Sequence, residues 1–220
     1  MQRKRLTLAC WLALLGCASA GAQIPGPGPL LRGIWSPKVG SGAAYEVLHP
    51  QHGKMQMEIA VVGEEKAGEK TAYWLEMRMQ APDKGRVIVK SLVVFEGQKS
   101  DALRLIVQSE DELPMEFPVQ MRRNMSNSTN PAAEDIRAIA EHVGTETITT
   151  PAGSFTCEHF RMKDGSGEAW VSQKVAPYGI VKMTSREGSM VLLKVLAGER
   201  SQIRGEPQKM APMMPGFPQP

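Results

Sequence analysis

The stretch that decides the fold is residues 144–196, which read GTETITTPAGSFTCEHFRMKDGSGEAWVSQKVAPYGIVKMTSREGSMVLLKVL. Short runs of β-type residues alternate there with Gly, Pro and Asp-Gly turn signals about every ten residues. This alternation is typical of consecutive antiparallel hairpins. The stretch therefore predicts a β meander.

Residues 43–109 follow the same logic earlier in the chain. Residues 54–64 and 71–80 alternate between apolar and polar side chains, with a polar turn containing Gly68 between them. In all, about ten strands and one short helix are expected, and the sheet must pair or curl to cover its apolar face. The positions that share the apolar face of these two runs are Met55, Met57, Ile59, Val61, Tyr73, Leu75, Met77 and Met79.

The one predicted helix spans residues 131–143, PAAEDIRAIAEHV. Pro131 suits the first helical position, with Asn130 as the cap. A narrow apolar stripe runs from Ile136 to Val143, so the helix is expected to lie across the sheet or its mouth.

The N-terminus has the pattern of a secretory signal peptide over residues 1–22. A basic segment precedes an apolar run, residues 6–15, that is too short to span a bilayer as a helix. Two alternative cleavage sites fit this pattern. An A-x-A site leaves Gln23 as the first mature residue, whereas a lipobox-like LLGC sequence makes Cys17 an acylated N-terminus. Both interpretations place the protein outside the cytoplasm, in the periplasm or cell envelope.

Composition divides the rest of the chain into three parts. Residues 23–42 are rich in Pro and Gly and are predicted to form an arm or tether. Residues 43–199 are predicted to be the β domain. Residues 200–220 end in a Pro/Met-rich run and are predicted to be disordered.

Charge argues against nucleic acid as a partner. The whole chain has 26 Lys and Arg against 23 Asp and Glu, and three of the bases lie in the signal sequence. Removing that sequence leaves 23 bases against 23 acids. The mature chain is therefore neutral and lacks the basic excess of a nucleic-acid or anionic-lipid binder.

Cys157 is the one cysteine of the predicted β domain, so no disulfide can form within that domain. It alternates with Phe155 and His159 on a predicted strand, where a free cysteine usually behaves as a small apolar residue. Phe160 and Met162 fall on the opposite parity, which predicts a β-bulge near His159.

The order TPAGSF, then a strand with Cys, then WVS, then PYGIVK resembles a pattern of exported bacterial β proteins that are similar to the lipoprotein-carrier superfamily. The motif covers residues 144–184, and the strand pattern covers residues 43–197. The resemblance implies an antiparallel sheet curled into a half barrel, with a short helix or loop at its open side. It also implies an apolar cavity for acyl chains. The residues expected to line that cavity are Met55, Met57, Tyr73, Leu75, Met77, Met79, Phe155 and Trp170.

A metal site is a weaker alternative. His49, His52, Met55 and Met57 offer imidazole and thioether groups, which suit Cu(I). The competing interpretation is a hairpin turn followed by two core methionines, because Met55 and Met57 share the parity of Ile59. No other metal site and no cofactor is expected.

An enzyme is the least favoured class. Cys157 and His159 share a strand face, but Glu158 points away and no third group is obviously placed to orient the histidine. The chain contains no G-x-S-x-G, H-E-x-x-H, P-loop or G-x-G-x-x-G motif. The leading hypothesis is an envelope protein that holds a lipid or other apolar ligand. The alternatives are a structural or interaction module without a ligand, and copper binding.

Overall fold

The computed structural model describes residues 31–32, 34–81, 85–96, 99–110, 112–118 and 134–210. The predicted signal peptide, its alternative lipidation site Cys17 and residues 211–220 lie outside these ranges. Within them, no helix combines the length and hydrophobicity that a membrane crossing requires.

Fourteen strands and one four-residue helix make up the described part of the chain. The strands are β1 (Leu31–Arg32), β2 (Ser41–His49), β3 (Gly53–Ala67), β4 (Lys70–Ala81), β5 (Gly85–Glu96), β6 (Lys99–Ser109), β7 (Met115–Glu116), β8 (Glu134–Asp135), β9 (Ala140–Thr150), β10 (Gly153–Met162), β11 (Gly167–Val171), β12 (Ile180–Ser185), β13 (Gly188–Ala197) and β14 (Gln208–Lys209). The helix is α1 (Ile136–Ile139).

Twelve of these strands form one sheet in the order β14-β7-β6-β5-β4-β3-β2-β13-β12-β11-β10-β9. Its pairs are antiparallel except β14 with β7, and β1 pairs with β8 separately. The order begins and ends on different strands, so the sheet does not close. The prediction of an all-β antiparallel meander curled into a half barrel is confirmed. The count is twelve rather than about ten, because β7 and β14 are two-residue strands too short for a sequence pattern.

One apolar core joins the two halves of the sheet. Buried side chains from β2–β6 and from β9–β13 belong to the same cluster. Tyr45 of β2 connects the two halves directly, because its hydroxyl donates to the carbonyl of Ile180 across the core at 3.1 Å. The described side chains of the two halves therefore pack against one another inside the curl.

The helix prediction was right in place and wrong in length. Residues 131–133 lie outside the described part, α1 covers only Ile136–Ile139, and β9 begins at Ala140. Residues 140–142 pair with β10, with Met162 opposite Ala140 and Phe160 opposite His142. Local helix preference is small, about 0.7 kcal/mol or less per residue, so pairing with a neighbouring strand overrides it here.

The predicted bulge is present. The register between β9 and β10 shifts between His159 and Phe160, which leaves Val143 as an extra residue in β9. The shift turns Phe160 and Met162 toward the core that Phe155 also enters.

The predicted arm, residues 23–42, contacts the domain through residues of its second half. The amides of Ile34 and Ser36 donate to the carbonyls of Tyr178 and Pro177, at 2.9 and 3.0 Å. The sheet itself begins at Ser41, two residues before the predicted boundary.

Residues 200–210 differ from the prediction of a disordered tail. They run over the sheet as a segment that we call the C-terminal strap, and β14 within it pairs with β7. The amide of Gln202 donates to the Glu76 carboxylate at 2.9 Å, and the amide of Arg204 donates to Gln108 at 2.9 Å. Composition missed the strap, because its order comes from polar groups on distant strands.

Candidate functional site

The eight side chains expected to line a cavity come together in the core. Met57 lies opposite Met79 across β3 and β4, and Phe155 and Trp170 enter from β10 and β11. Seven of them are at most 9% exposed, and Tyr73 packs at the rim. Leu75 is 0% exposed and Met77 is 1% exposed. Solvent therefore does not reach these two side chains.

Trp35 covers one end of this core. Its ring centroid lies 3.9 Å from that of Phe95, 5.6 Å from Tyr73 and 5.8 Å from Tyr178. Because Ile34 and Ser36 are tied to the 177–178 loop by backbone hydrogen bonds, the arm holds Trp35 in this position. An apolar molecule that entered the core from this end would have to displace Trp35.

The four residues of the copper alternative have different surroundings. The rings of His49 and His52 lie 4.5 Å apart, and Nδ1 of His49 accepts a hydrogen bond from the Gln51 amide at 3.1 Å. Met55 and Met57 are buried in the core, at 7% and 2% exposed. Among the described residues, no group of three or more His, Cys, Asp or Glu side chains is arranged to hold a metal ion.

Cys157 is fully buried, and its Sγ lies 3.5 Å from the carbonyl of Phe155. Burial raises the pKa of the Cys157 thiol to about 11, and the nearby Glu146 carboxylate acts in the same direction. The thiol therefore stays protonated near neutral pH, whereas a cysteine nucleophile needs a lowered pKa.

We expect Cys157 to resist alkylation in the folded protein. At about pH 8 iodoacetamide should label it only after denaturation, because the reactive thiolate is scarce and the side chain is buried. Peptide mass spectrometry with and without denaturant measures this difference. Rapid labelling of the native protein would show that the thiol is accessible and ionised.

His159 belongs to an aromatic and charged cluster. It stacks on Trp170 with centroids 4.6 Å apart, and Lys182 lies over the same indole at 4.6 Å. The carboxylate of Glu146 accepts from the indole Nε1 of Trp170 at 2.6 Å and lies 3.0 Å from Nδ1 of His159. Glu168 lies 3.4 Å from Nε2 of His159.

Sequence reasoning missed this cluster, because its members lie on separate strands and meet only through register. His159 is opposite Trp170, and Trp170 is opposite Lys182. The pKa of the Glu168 carboxyl is lowered, first by the hydrogen bond from Arg161 and also by His159. The cluster therefore links β9, β10, β11 and β12 at one end of the sheet.

The opposite face of the sheet carries a buried ionic cluster. Glu76 is 0% exposed and Arg78 is 4% exposed. Nε of Arg78 donates to Glu76 at 2.9 Å, and Nη1 donates to Glu58 at 3.0 Å and to Glu199 at 2.6 Å. Nη2 donates to the Arg200 carbonyl at 3.0 Å. Burial alone would lower the pKa of Arg78, but the three carboxylates outweigh it and raise the pKa.

Next to this cluster lies a polar cleft of about 300 Å³. Arg86 and Gln202 form part of its wall and hydrogen bond to each other. The cleft is lined by Ala44, Tyr45, Gln56, Met57, Glu58, Arg78, Gln80, Arg86, Leu193 and Gln202. It is open and polar, unlike the apolar cavity that the sequence predicted.

Two solved structures are distantly similar to this chain. No protein-family model matches this chain, and no curated protein matches it. The solved structure of a candidate lipoprotein from Parabacteroides distasonis is 14% identical and covers 75% of this chain and 99% of its own, with a TM-score of 0.37. A candidate exported protein with a YmcC-like fold from Bacteroides fragilis is also 14% identical, over 74% of this chain and 99% of its own, with a TM-score of 0.35. Likeness of this degree carries no argument about function.

Proposed function

We propose that this protein is an exported cell-envelope module that acts by binding another macromolecule through its surface. The signal-peptide pattern of residues 1–22 supports export, and Cys17 is the residue through which a membrane anchor would be attached. The neutral mature chain supports a partner other than nucleic acid. The role proposed is non-catalytic.

One observation carries this proposal. In the part of the chain that the structure describes, the side chains expected to surround an acyl chain pack against one another, and Leu75 and Met77 are 0% and 1% exposed. A pocket for a drug-sized or lipid-sized ligand usually has a volume of about 300–1,000 Å³ lined by apolar groups. The cleft of about 300 Å³ on the outer face is instead lined largely by charged and amide side chains.

Lipid binding remains a second candidate, favoured by two features of the core. Met55, Met57, Met77 and Met79 share the interior, and unbranched methionine side chains adapt to irregular apolar partners. Trp35 packs on Phe95 at one end of this core, where it could act as a plug. Each buried methylene of an acyl chain would contribute about 0.8 kcal/mol.

Native mass spectrometry of the processed protein, purified from an envelope fraction, separates the two candidates. We expect the apo mass for the wild type and for Trp35→Ala. A lipid-sized adduct that survives purification, and that becomes more abundant in Trp35→Ala, would overturn the surface-module proposal and support the second candidate. Trp74→Ala is a matched control, because Trp74 lies outside this core, under Lys90 at 4.8 Å.

A further inference from the structure

Strand β9 presents an open sheet edge. It is the last strand of the sheet order, and in the described part of the chain it pairs within the sheet only with β10. Thr145, Glu146, Thr147 and Thr149 are exposed, and only Ile148 is half-buried between them. An exposed strand edge of this length is a template for pairing with another chain.

The hairpin after β9 fixes which amide groups face that edge. Two residues, Pro151 and Ala152, connect Thr150 to Gly153, and residues that flank such a turn form a hydrogen-bonded pair. Ile148 and Glu146 then also bond to β10, because hydrogen-bonded pairs alternate along an antiparallel ladder.

The alternate residues Thr145, Thr147 and Thr149 therefore direct their N–H and C=O groups away from β10. A close side-chain approach agrees with this assignment, since Oγ1 of Thr149 lies 3.0 Å from Oγ of Ser154 on the facing strand. Side chains are closer in the pairs that do not exchange backbone hydrogen bonds.

We propose that β9 pairs with β9 of a second copy of this chain, antiparallel, around a two-fold axis at Thr147. Thr147 then faces its own equivalent, and Thr145 faces Thr149 of the second copy. By symmetry Thr149 also faces Thr145 of the second copy, which makes three pairs. Both residues of each pair direct their N–H and C=O groups outward, so each pair can exchange two backbone hydrogen bonds. Threonine pairs directly opposite one another also stabilise antiparallel sheets.

Charge selects this register among the available ones. With the axis at Thr147, Glu146 faces Ile148 of the second copy. An axis at Glu146 would place two carboxylates directly opposite each other, which destabilises a sheet. An axis at Ile148 would reduce the three outward pairs to two. Sliding the second strand by a single residue would place N–H and C=O groups that point outward opposite groups that point toward β10, so those groups could not pair.

The same geometry limits the assembly to a dimer. The extra residue Val143 breaks the regular ladder at one end of the edge, and the Pro151 turn ends it at the other. The strand at the opposite end of the sheet, β14, has only two residues, so it is too short to offer a comparable edge. A two-fold interface uses the same patch on both copies and closes.

Sedimentation equilibrium of the processed full chain tests the dimer. We expect a concentration-dependent dimer for the wild type, and monomers for Thr147→Pro and Thr147→Lys. Proline removes an outward N–H, and lysine places two like charges across the axis. The matched control is Thr156→Lys on β10, which is opposite Thr147 within the chain and is exposed, but lies one strand inside the edge. Thr156→Lys should remain dimeric.

Cross-linking supplies a second measurement that does not depend on how tight the dimer is. Thr147→Cys should form a disulfide-linked dimer under mild oxidation, because facing hydrogen-bonded residues lie about 5.5 Å apart at Cα. Cys157 is buried and cannot substitute for it, and Thr156→Cys should not cross-link. A wild type that stays monomeric at every concentration with no cross-link, or a dimer that survives both Thr147 variants, overturns the proposal.

This inference rests on the proposed surface role, and the two fail separately. A lipid adduct in native mass spectrometry removes the surface-module proposal whatever the oligomeric state. A chain that is monomeric and has the apo mass would contradict only the proposed β9 dimer.

Discussion

Arg78→Met is expected to lower the free energy of unfolding by about 3–5 kcal/mol, the cost of breaking a buried ion pair from one side. Glu76 is 0% exposed and would lose the Nε donor that now lies 2.9 Å away. Its remaining donors are the Ser201 hydroxyl at 2.7 Å and the Gln202 amide at 2.9 Å. Two neutral donors do not balance a carboxylate that water cannot reach. Urea unfolding followed by circular dichroism measures the loss.

The matched control is Arg104→Met. Arg104 also binds a carboxylate through two nitrogens, at 2.8 and 3.0 Å to Glu116, but its side chain is 42% exposed. Exposed ion pairs contribute about 0–1 kcal/mol. A loss in Arg78→Met no greater than in Arg104→Met would show that the Glu76 cluster is not an effectively buried ion pair.

The same variant should loosen the C-terminal strap. Arg78 holds Glu199 and the Arg200 carbonyl directly, and Glu76 holds the next two residues. Hydrogen exchange of the Gln202 amide should therefore accelerate in Arg78→Met more than exchange in β10. Equal acceleration throughout the sheet would indicate global destabilisation without a specific strap contact.

The sequence could predict the sheet because its signals are local. Alternation in residues 54–64 and 71–80, and turns at Gly68 and at residues 151–152, each depend on neighbours in the chain. The structure places β3, β4 and the β9–β10 hairpin at these positions. Even the bulge near His159 was readable, because it reverses the parity of the apolar residues.

The strap and the two polar clusters were out of reach for a different reason. In the sequence, Glu76 and Arg78 have the pattern of ordinary solvent-facing residues of β4. The residues that cover them, Ser201 and Gln202, lie more than a hundred positions away in the chain. His159, Trp170 and Lys182 become neighbours only when three strands take one register. The predicted helix failed similarly, since the pairing of Ala140 with Met162 is a tertiary contact.

The predicted cavity residues share one core. Whether they line a ligand cavity or only fill the interior stays a prediction, because alternation along a strand does not distinguish the two. Alternation reports which side chains face inward, and Met57, Leu75 and Met79 do so. Whether the two halves of a curled sheet meet depends on the depth of the curl and on side-chain volume across it. That information is absent from the pattern of any one strand.

Leu75→Ala is expected to lower the free energy of unfolding by about 2–5 kcal/mol, because it removes a fully buried side chain and leaves a cavity. Leu75 lies opposite Val61 on β3, and both are 0% exposed. Chemical unfolding of the delipidated protein measures the loss. Met77→Leu is the matched control on the same strand face, since a volume-conserving change should cost less than about 1.5 kcal/mol.

A complementary change tests whether the interior is full. Ala43 is 0% exposed in the same core, so Ala43→Leu should overpack it and cost about 1–3 kcal/mol. If the interior instead had spare volume for an acyl chain, Ala43→Leu would be neutral or stabilising, and Leu75→Ala would cost less than about 1 kcal/mol. A filled core makes both changes harmful, because close-packed interiors tolerate neither a void nor an added methylene. The changes in the free energy of unfolding of these two variants therefore decide whether the interior only stabilises the fold or accommodates a ligand.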